Sequence, residues 1–130
     1  MIQQEGPGWR LARDLSRKDF PFLIGGESWA VELTEMEVKG LYALLVELEH
    51  QYMLIRDQLM EEESITLELE QQEWWGCLDG NRDHWGLRVV LQGKGMQSRG
   101  LEGAWPAPAA QACARQCTLV SRFLYENHMF

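Results

Sequence analysis

The sequence predicts an α+β fold: a twisted antiparallel sheet with two helices, built from a strands-then-helix unit that occurs twice. Three observations carry this. Segments that alternate apolar and polar residues fall in two blocks, residues 8–33 and 65–105. An apolar recurrence of three to four residues runs over 35–60 and returns over 109–126. The resulting order, strands, helix, strands, helix, segregates the two element types, as α+β folds do and alternating βαβ folds do not. A chain of 130 residues is long enough for one domain with its own core, so 1–130 reads as a single domain.

In the first block, "GWRLARD" (8–14) sets Trp9, Leu11 and Arg13 against Arg10, Ala12 and Asp14. "FPFLI" (20–24) runs into Gly25-Gly26, a turn signal, and "SWAVEL" (28–33) puts Trp29, Val31 and Leu33 on one face. Thr34 followed by Glu37 is a capping box and marks a helix start. Val38, Leu41, Leu45, Leu48, Tyr52, Ile55 and Leu59 then form one stripe. Its near-heptad spacing also suits a dimer seam, but packing on the protein's own sheet is the preferred reading. Gly40 weakens the helix by about 1 kcal/mol relative to alanine.

The second block opens with "ITLELE" (65–70), with Ile65, Leu67 and Leu69 inward and Thr66, Glu68 and Glu70 outward. "EWWGCL" (73–78) and "HWGLRVVLQ" (84–92) flank the turn-rich "DGNRD" and read as a hairpin. With a five-residue loop, Trp75 faces Leu87 and Cys77 faces Trp85. The apolar face is then Trp75, Cys77, Trp85, Leu87, Val89 and Leu91, while Trp74, His84 and Arg88 share the other. "LEGAW" (101–105) is a short further strand. Pro106 and Pro108 lead into a helix whose apolar face is Cys113, Cys117, Val120 and Leu124.

Charge separates the function classes. The net charge is −8, and between residues 35 and 80 two basic side chains meet twelve acidic ones. That surface repels phosphate backbones. Basic residues gather toward the two ends: Arg10, Arg13, Arg17 and Lys18, then Arg82, Arg88, Lys94 and Arg99. If the two β blocks adjoin, these form one patch, with Trp74 or Trp9 as a stacking platform for single-stranded nucleic acid.

Catalysis has little support. The sequence holds no GxSxG elbow, P-loop or GxGxxG stretch, and Asp79, Asp83 and His84 lie on a turn. Cys113 and Cys117 are one helical turn apart but lack further ligands, so they read as core rather than zinc ligands. Glu61, Glu62, Glu63, Glu68 and Glu70 lack the alternating ligand pattern of a calcium loop. No catalytic residue, metal site or cofactor is expected. Three cysteines without framework spacing fit a reducing compartment. The N-terminal "MIQQEGPGW" has no signal-peptide pattern, and no apolar run is long enough to cross a membrane.

"RGLEGAWPAPA" (99–109), taken with "QLMEEESITLELE" (58–70) and "WGLRVVL" (85–91), resembles a family of small uncharacterised cyanobacterial proteins, domain of unknown function 1818. The resemblance implies a strand block and a helix occurring twice. It is similar in fold to the Whirly-type single-stranded-DNA-binding transcriptional regulators. It carries no functional residues to transfer, and no lysine-rich stretch here matches the Whirly motif. Exposed Glu32, Glu68 and Glu70 weigh against DNA binding. The expectation is therefore a cytoplasmic, non-catalytic binding module that engages a protein through its acidic surface. Single-stranded nucleic-acid binding is the alternative. The expected binding surface is Trp74, Arg82, His84, Arg88, Arg10 and Arg13, on a monomer or dimer.

Overall fold

The computed structural model describes residues 2–93 and 99–117. Two antiparallel meanders of four strands each make up most of it. The first is β1 (Ile2–Gly6), β2 (Trp9–Arg13), β3 (Phe22–Gly26) and β4 (Ala30–Leu33). The second is β5 (Ile65–Gln71), β6 (Trp74–Gly80), β7 (Trp85–Leu91) and β8 (Leu101–Trp105). Helix α1 (Glu35–Arg56) joins them, and a second helix, α2, covers 109–117. The α+β class and the doubled strands-then-helix order are as the sequence indicates, with the strands divided between two sheets. Residues 118–126 of the expected second helix, with Val120 and Leu124, lie outside the described residues, as does Lys94. No helix among the described residues is long and apolar enough to cross a membrane.

The first meander begins earlier than its alternation suggests. β1 pairs with β2 from Ile2 opposite Arg13 to Gly6 opposite Trp9. An edge strand needs little apolar content, and Gln3, Gln4 and Glu5 are all exposed, so no period betrays it. Its punctuation is Pro7-Gly8, where Gly8 takes a φ of 79°, the conformation glycine supplies after proline in a tight turn. The second meander has its two-residue turn in the same place: Gln71 faces Trp74 across Gln72, whose φ is 57°. Each turn leads into a tryptophan, Trp9 or Trp74, that points into the core. The repeat lies in the placement of turn and tryptophan; the turns themselves differ, since the positive φ falls on the second turn residue at Gly8 and on the first at Gln72.

Helix α1 starts as its capping box requires. Thr34 Oγ1 accepts from the Glu37 amide at 3.1 Å, and Glu37 Oε1 accepts from the Thr34 amide at 2.8 Å. It stops at Arg56 rather than near 60. Gln58 and Leu59 donate to carbonyls three residues back, which tightens the last turn and closes the helix. Val38, Leu41, Leu45, Leu48 and Tyr52 are buried as the stripe predicts, together with Leu44. They pack on β5 and β6 of the second sheet, so that stripe is core and not a dimer seam. Gly76 lets the helix approach: a Cβ there would sit 2.7 Å from Leu44 Cδ2. The second helix reaches back to the first meander. Leu11, Phe22, Ile24, Val38 and Cys117 line one small apolar void, and Ala109 packs beside Gly8.

Tryptophans lock the two sheets together. Trp105 Nε1 on β8 donates to the Gly25 carbonyl on β3 at 2.9 Å. Trp29, in the β3–β4 turn, donates in return to the Ala104 carbonyl at 3.2 Å. The two rings tilt against each other with centroids 5.0 Å apart. Gly26 and Gly103 both give up side-chain space to the Trp29 ring.

Candidate functional site

The β6–β7 hairpin decides which side chains are available for binding. Its register sets Trp74 opposite Leu91, Cys77 opposite Arg88 and Gly80 opposite Trp85. The turn is Asn81 to His84, not "DGNRD". Asn81 Oδ1 accepts from the amides of Asp83 (3.0 Å) and His84 (2.9 Å), and its own amide donates to the His84 carbonyl. Compared with the five-residue loop, the pairing shifts by three residues. An odd shift moves one strand's side chains to the other face. The core face is therefore Trp74, Gly76 and Leu78 with Trp85, Leu87, Val89 and Leu91, and the outward face is Trp75, Cys77 and Asp79 with Gly86, Arg88 and Val90.

Trp74 is accordingly corrected from surface platform to core residue. It is 1% exposed, and its Nε1 donates to the Glu37 carbonyl at 2.9 Å. Arg13 is corrected in the same way. At 6% exposed it lies in the layer of Trp9 and Leu11, between Ile2 and Phe22 in the sheet. The other four expected residues are exposed but dispersed. Arg82 and His84 stand at the hairpin turn. Arg10 lies on the outer face of the first sheet, with Nη2 3.3 Å from the Trp29 carbonyl. Arg88 lies on the outer face of the second. Two more members of the expected basic patch are neutralised: Arg17 makes a two-pronged pair with Glu32 (2.8 and 2.9 Å), and Arg99 makes one with Glu37.

That outer face of the second sheet sets Arg88 beside an aromatic ring. Across β5 to β8 it presents Thr66, Glu68, Glu70, Trp75, Cys77, Asp79, Arg88, Glu102 and Ala104. The Arg88 guanidinium lies 4.9 Å from the Trp75 ring centre and its Nε is 4.0 Å from Glu102. Thr66 Oγ1 donates to Asp79 at 3.1 Å. Four exposed carboxylates thus surround one half-buried tryptophan and one arginine. Burial, then the Glu68 and Asp79 charges, push the Cys77 thiol above its ordinary value, so it is a poor nucleophile. Burial does the same to Cys113 and Cys117, the latter being pushed up to about 12.

A separate cleft of about 330 Å³ lies where the C-terminal half of α1 meets the hairpin turn and α2. Glu49, Arg56, Asp83 and Arg115 line it around Tyr52 and Gln111. Tyr52 ties the turn down, since its hydroxyl donates to the carbonyls of Asn81 (2.7 Å) and Arg82 (2.8 Å). Burial raises the Tyr52 pKa further. A committed, protonated hydroxyl offers no base. Among the described residues, no group of three His, Cys, Asp or Glu side chains is placed to hold a metal ion.

Sequence reasoning missed the Glu37–Arg99 clamp. Arg99 Nε and Nη2 donate to the two Glu37 oxygens at 2.8 and 2.7 Å, and Nη2 also reaches the Glu32 carbonyl. The guanidinium stacks 4.7 Å from the Phe20 ring centre. Burial raises the Glu37 pKa, but the Arg99 hydrogen bonds and the Thr34 cap outweigh it and leave the carboxyl below its ordinary value. A depressed carboxyl adds stability above its unfolded pKa, about 4.3, and loses it as pH falls through the folded value. Glu37→Gln is therefore expected to lower the Tm at pH 7, with the difference from wild type shrinking as pH falls below about 4. Melting curves from neutral to acid pH check this; a gap that stays constant would contradict it.

The family model described as "Domain of unknown function (DUF1818)" matches residues 4–120. Among solved structures, the crystal structure of a protein with unknown function from the DUF155 family of Prochlorococcus sp. NATL2A is similar at 43% identity. The match covers 92% of this chain and 98% of that one, with a TM-score of 0.87. No curated protein matches the chain.

Proposed function

As the chain belongs to the family described as domain of unknown function (DUF1818), we propose from its geometry that it is a non-catalytic module that binds a positively charged protein. The contact surface is the outer face of the second sheet. One observation carries this reading: the exposed face sets Glu70 opposite Trp75 and spreads Glu68, Asp79 and Glu102 around the Trp75–Arg88 stack, with Arg88 its one base among the described residues. An aromatic anchor with a charged rim is how protein interfaces divide affinity from steering. The Arg88–Trp75 stack holds the ring in place before a partner arrives, which reduces the ordering cost of binding.

Single-stranded nucleic-acid binding, the reading that a likeness to the Whirly-type regulators would suggest, has less support. It loses Trp74 and Arg13 to the core, and the carboxylates beside Arg88 oppose phosphate.

Affinity capture from the native lysate with wild type and with Glu68→Lys/Glu70→Lys/Asp79→Lys tests the reading. All three positions are exposed or half-exposed on one face, so the variant is expected to fold. A protein retained by wild type, released by about 0.5 M salt and lost with the variant supports it. Equal retention by both chains would sink it.

A further inference from the structure

Strand β5 is an edge of the second sheet. At 7 residues it is the longest of the edge strands β1, β4, β5 and β8 among the described residues. Its hydrogen-bonding parity follows from the register. Across a two-residue turn the closing pair, Gln71 and Trp74, exchanges hydrogen bonds, and bonded pairs alternate down the ladder, so Leu69, Leu67 and Ile65 bond to β6. The next ladder agrees. The Glu73 carbonyl accepts from the Gln92 amide at 2.7 Å, so Trp75, Cys77 and Asp79 bond to β7 and leave Gly76 and Leu78 for β5. The amides and carbonyls of Thr66 and Glu68 therefore point out along the sheet edge. The side chains beside them differ by face: Ile65, Leu67 and Leu69 are only half-buried under the helix, while Thr66 and Glu68 are exposed on the outer face.

We propose that this edge takes up an extended segment of another protein as an added strand, one that alternates lysine or arginine with apolar residues. The proposal rests on the reading above and names the form in which the positively charged partner binds. The edge groups of Thr66 and Glu68 supply main-chain hydrogen bonds, and the alternate side chains supply the selection. Residues of the added strand opposite Thr66 and Glu68 point to the outer face. A base opposite Glu68 meets its carboxylate. A base opposite Thr66 passes over a small side chain toward Asp79, which lies across from Thr66 on β6 and accepts its hydroxyl at 3.1 Å. The residues between them fall on the helix side and cover the half-buried Leu67 and its neighbours.

Charged side chains commonly protect an exposed edge from pairing, and here the protection is selective. A second copy of β5, paired antiparallel over its whole length, would set Glu68 on Glu68, and like charges directly opposite destabilise a pair. The edge thus rejects its own copy and any acidic strand, and it accepts a basic one. The rest of the partner then lies over Trp75 and Arg88.

The probe is a short blocked peptide alternating lysine and valine, titrated into the isotope-labelled full chain beside an isomer with its lysines in one block. Amide hydrogen exchange is read by NMR. The alternating peptide is expected to slow exchange of the Thr66 and Glu68 amides about tenfold or more and to leave Leu67, already bonded to β6, unchanged. Thr66→Pro removes an edge amide and no carboxylate, at a position where an edge strand tolerates proline. It is expected to weaken binding about tenfold, while Thr66→Val binds as wild type does. The exchange pattern of wild type decides the matter even where Thr66→Pro fails to fold. Equal binding of both peptides with the edge amides unchanged would overturn the added strand and leave the basic-partner reading standing. Failure of both to bind at about 1 mM would overturn the added strand too, and the capture experiment then decides the broader reading by itself.

Discussion

Trp74→Ala is expected to cost about 3–5 kcal/mol, the range for truncating a large buried aromatic. The ring is almost wholly enclosed, and it lies where α1 crosses the second sheet. Its neighbour Gly40 is the means of that approach. A Cβ at Gly40 would fall 3.0 Å from Trp74 Cδ1, so the helix gives up the propensity of alanine to admit the indole. The ring also holds the helix by its Nε1 bond to the Glu37 carbonyl, in the same turn as the Thr34 cap and the Arg99 clamp. Against a total stability of order 5–15 kcal/mol, the loss takes about a fifth or more. Thermal or urea unfolding followed by circular dichroism measures it. Trp75→Ala serves as the comparison, because Trp75 stands on the outer face and its loss is expected to cost far less. Equal losses from the two substitutions would overturn the hairpin register described above.

Gly103→Ala is expected to cost about 1–3 kcal/mol through overpacking. A Cβ at this position would lie 2.8 Å from Trp29 Cζ2, in the plane where the ring covers β8. The ring cannot simply tilt away. Gly26 closes on its other part, its Nε1 is bonded to the Ala104 carbonyl, and Trp105 packs against it. Something must therefore shift at the joint between the sheets. The expected signature is a lowered Tm with a change in tryptophan emission, and recovery of part of the loss in Gly103→Ala/Trp29→Leu. An unchanged Tm would mean that the joint carries no strain and that Trp29 is replaceable.

Much of this architecture is legible in the sequence, for identifiable reasons. Thr34 with Glu37 fixes the start of α1 because a capping box satisfies two amides reciprocally, and few other arrangements use those residues at that spacing. The stripe from Val38 to Tyr52 is legible because one face of a long helix is buried along its whole length. β5 alternates cleanly because one of its faces meets the helix and the other meets water. The hairpin partner strand is where legibility ends. Trp74 and Trp75 are adjacent and chemically identical, and only the register assigns one to the core. That register turns on Asn81, whose side chain closes a shorter turn than "DGNRD" suggests. Arg13 was legible in part, since its parity with Trp9 and Leu11 puts it on the buried face, while its charge suggests the surface. The Glu37–Arg99 clamp joins residues 62 positions apart, a distance that no local pattern reports.

The legible charge map and the illegible register bear on the site together. Acidic residues between 35 and 80 suggest a repulsive surface, and the register determines which of them frame Trp75. Glu68 and Asp79 come to the outer face with Arg88 because β5, β6 and β7 pair as they do. The basic residues read as one patch are instead spread over two sheets and a turn, with Arg17 and Arg99 bound to carboxylates.

The central claim, that the outer face of the second sheet receives a positively charged protein, is tested most directly by photo-crosslinking from Ala104. This small exposed residue lies beside Arg88 on that face. A benzophenone side chain there, activated in the native cell, is expected to join the chain to a protein whose crosslinked segment is rich in lysine and arginine. The same probe at Ala12, on the outer face of the first sheet, is expected to give no such product. Crosslinks from Ala104 to nucleic acid, or the same protein captured equally from both positions, would contradict the account.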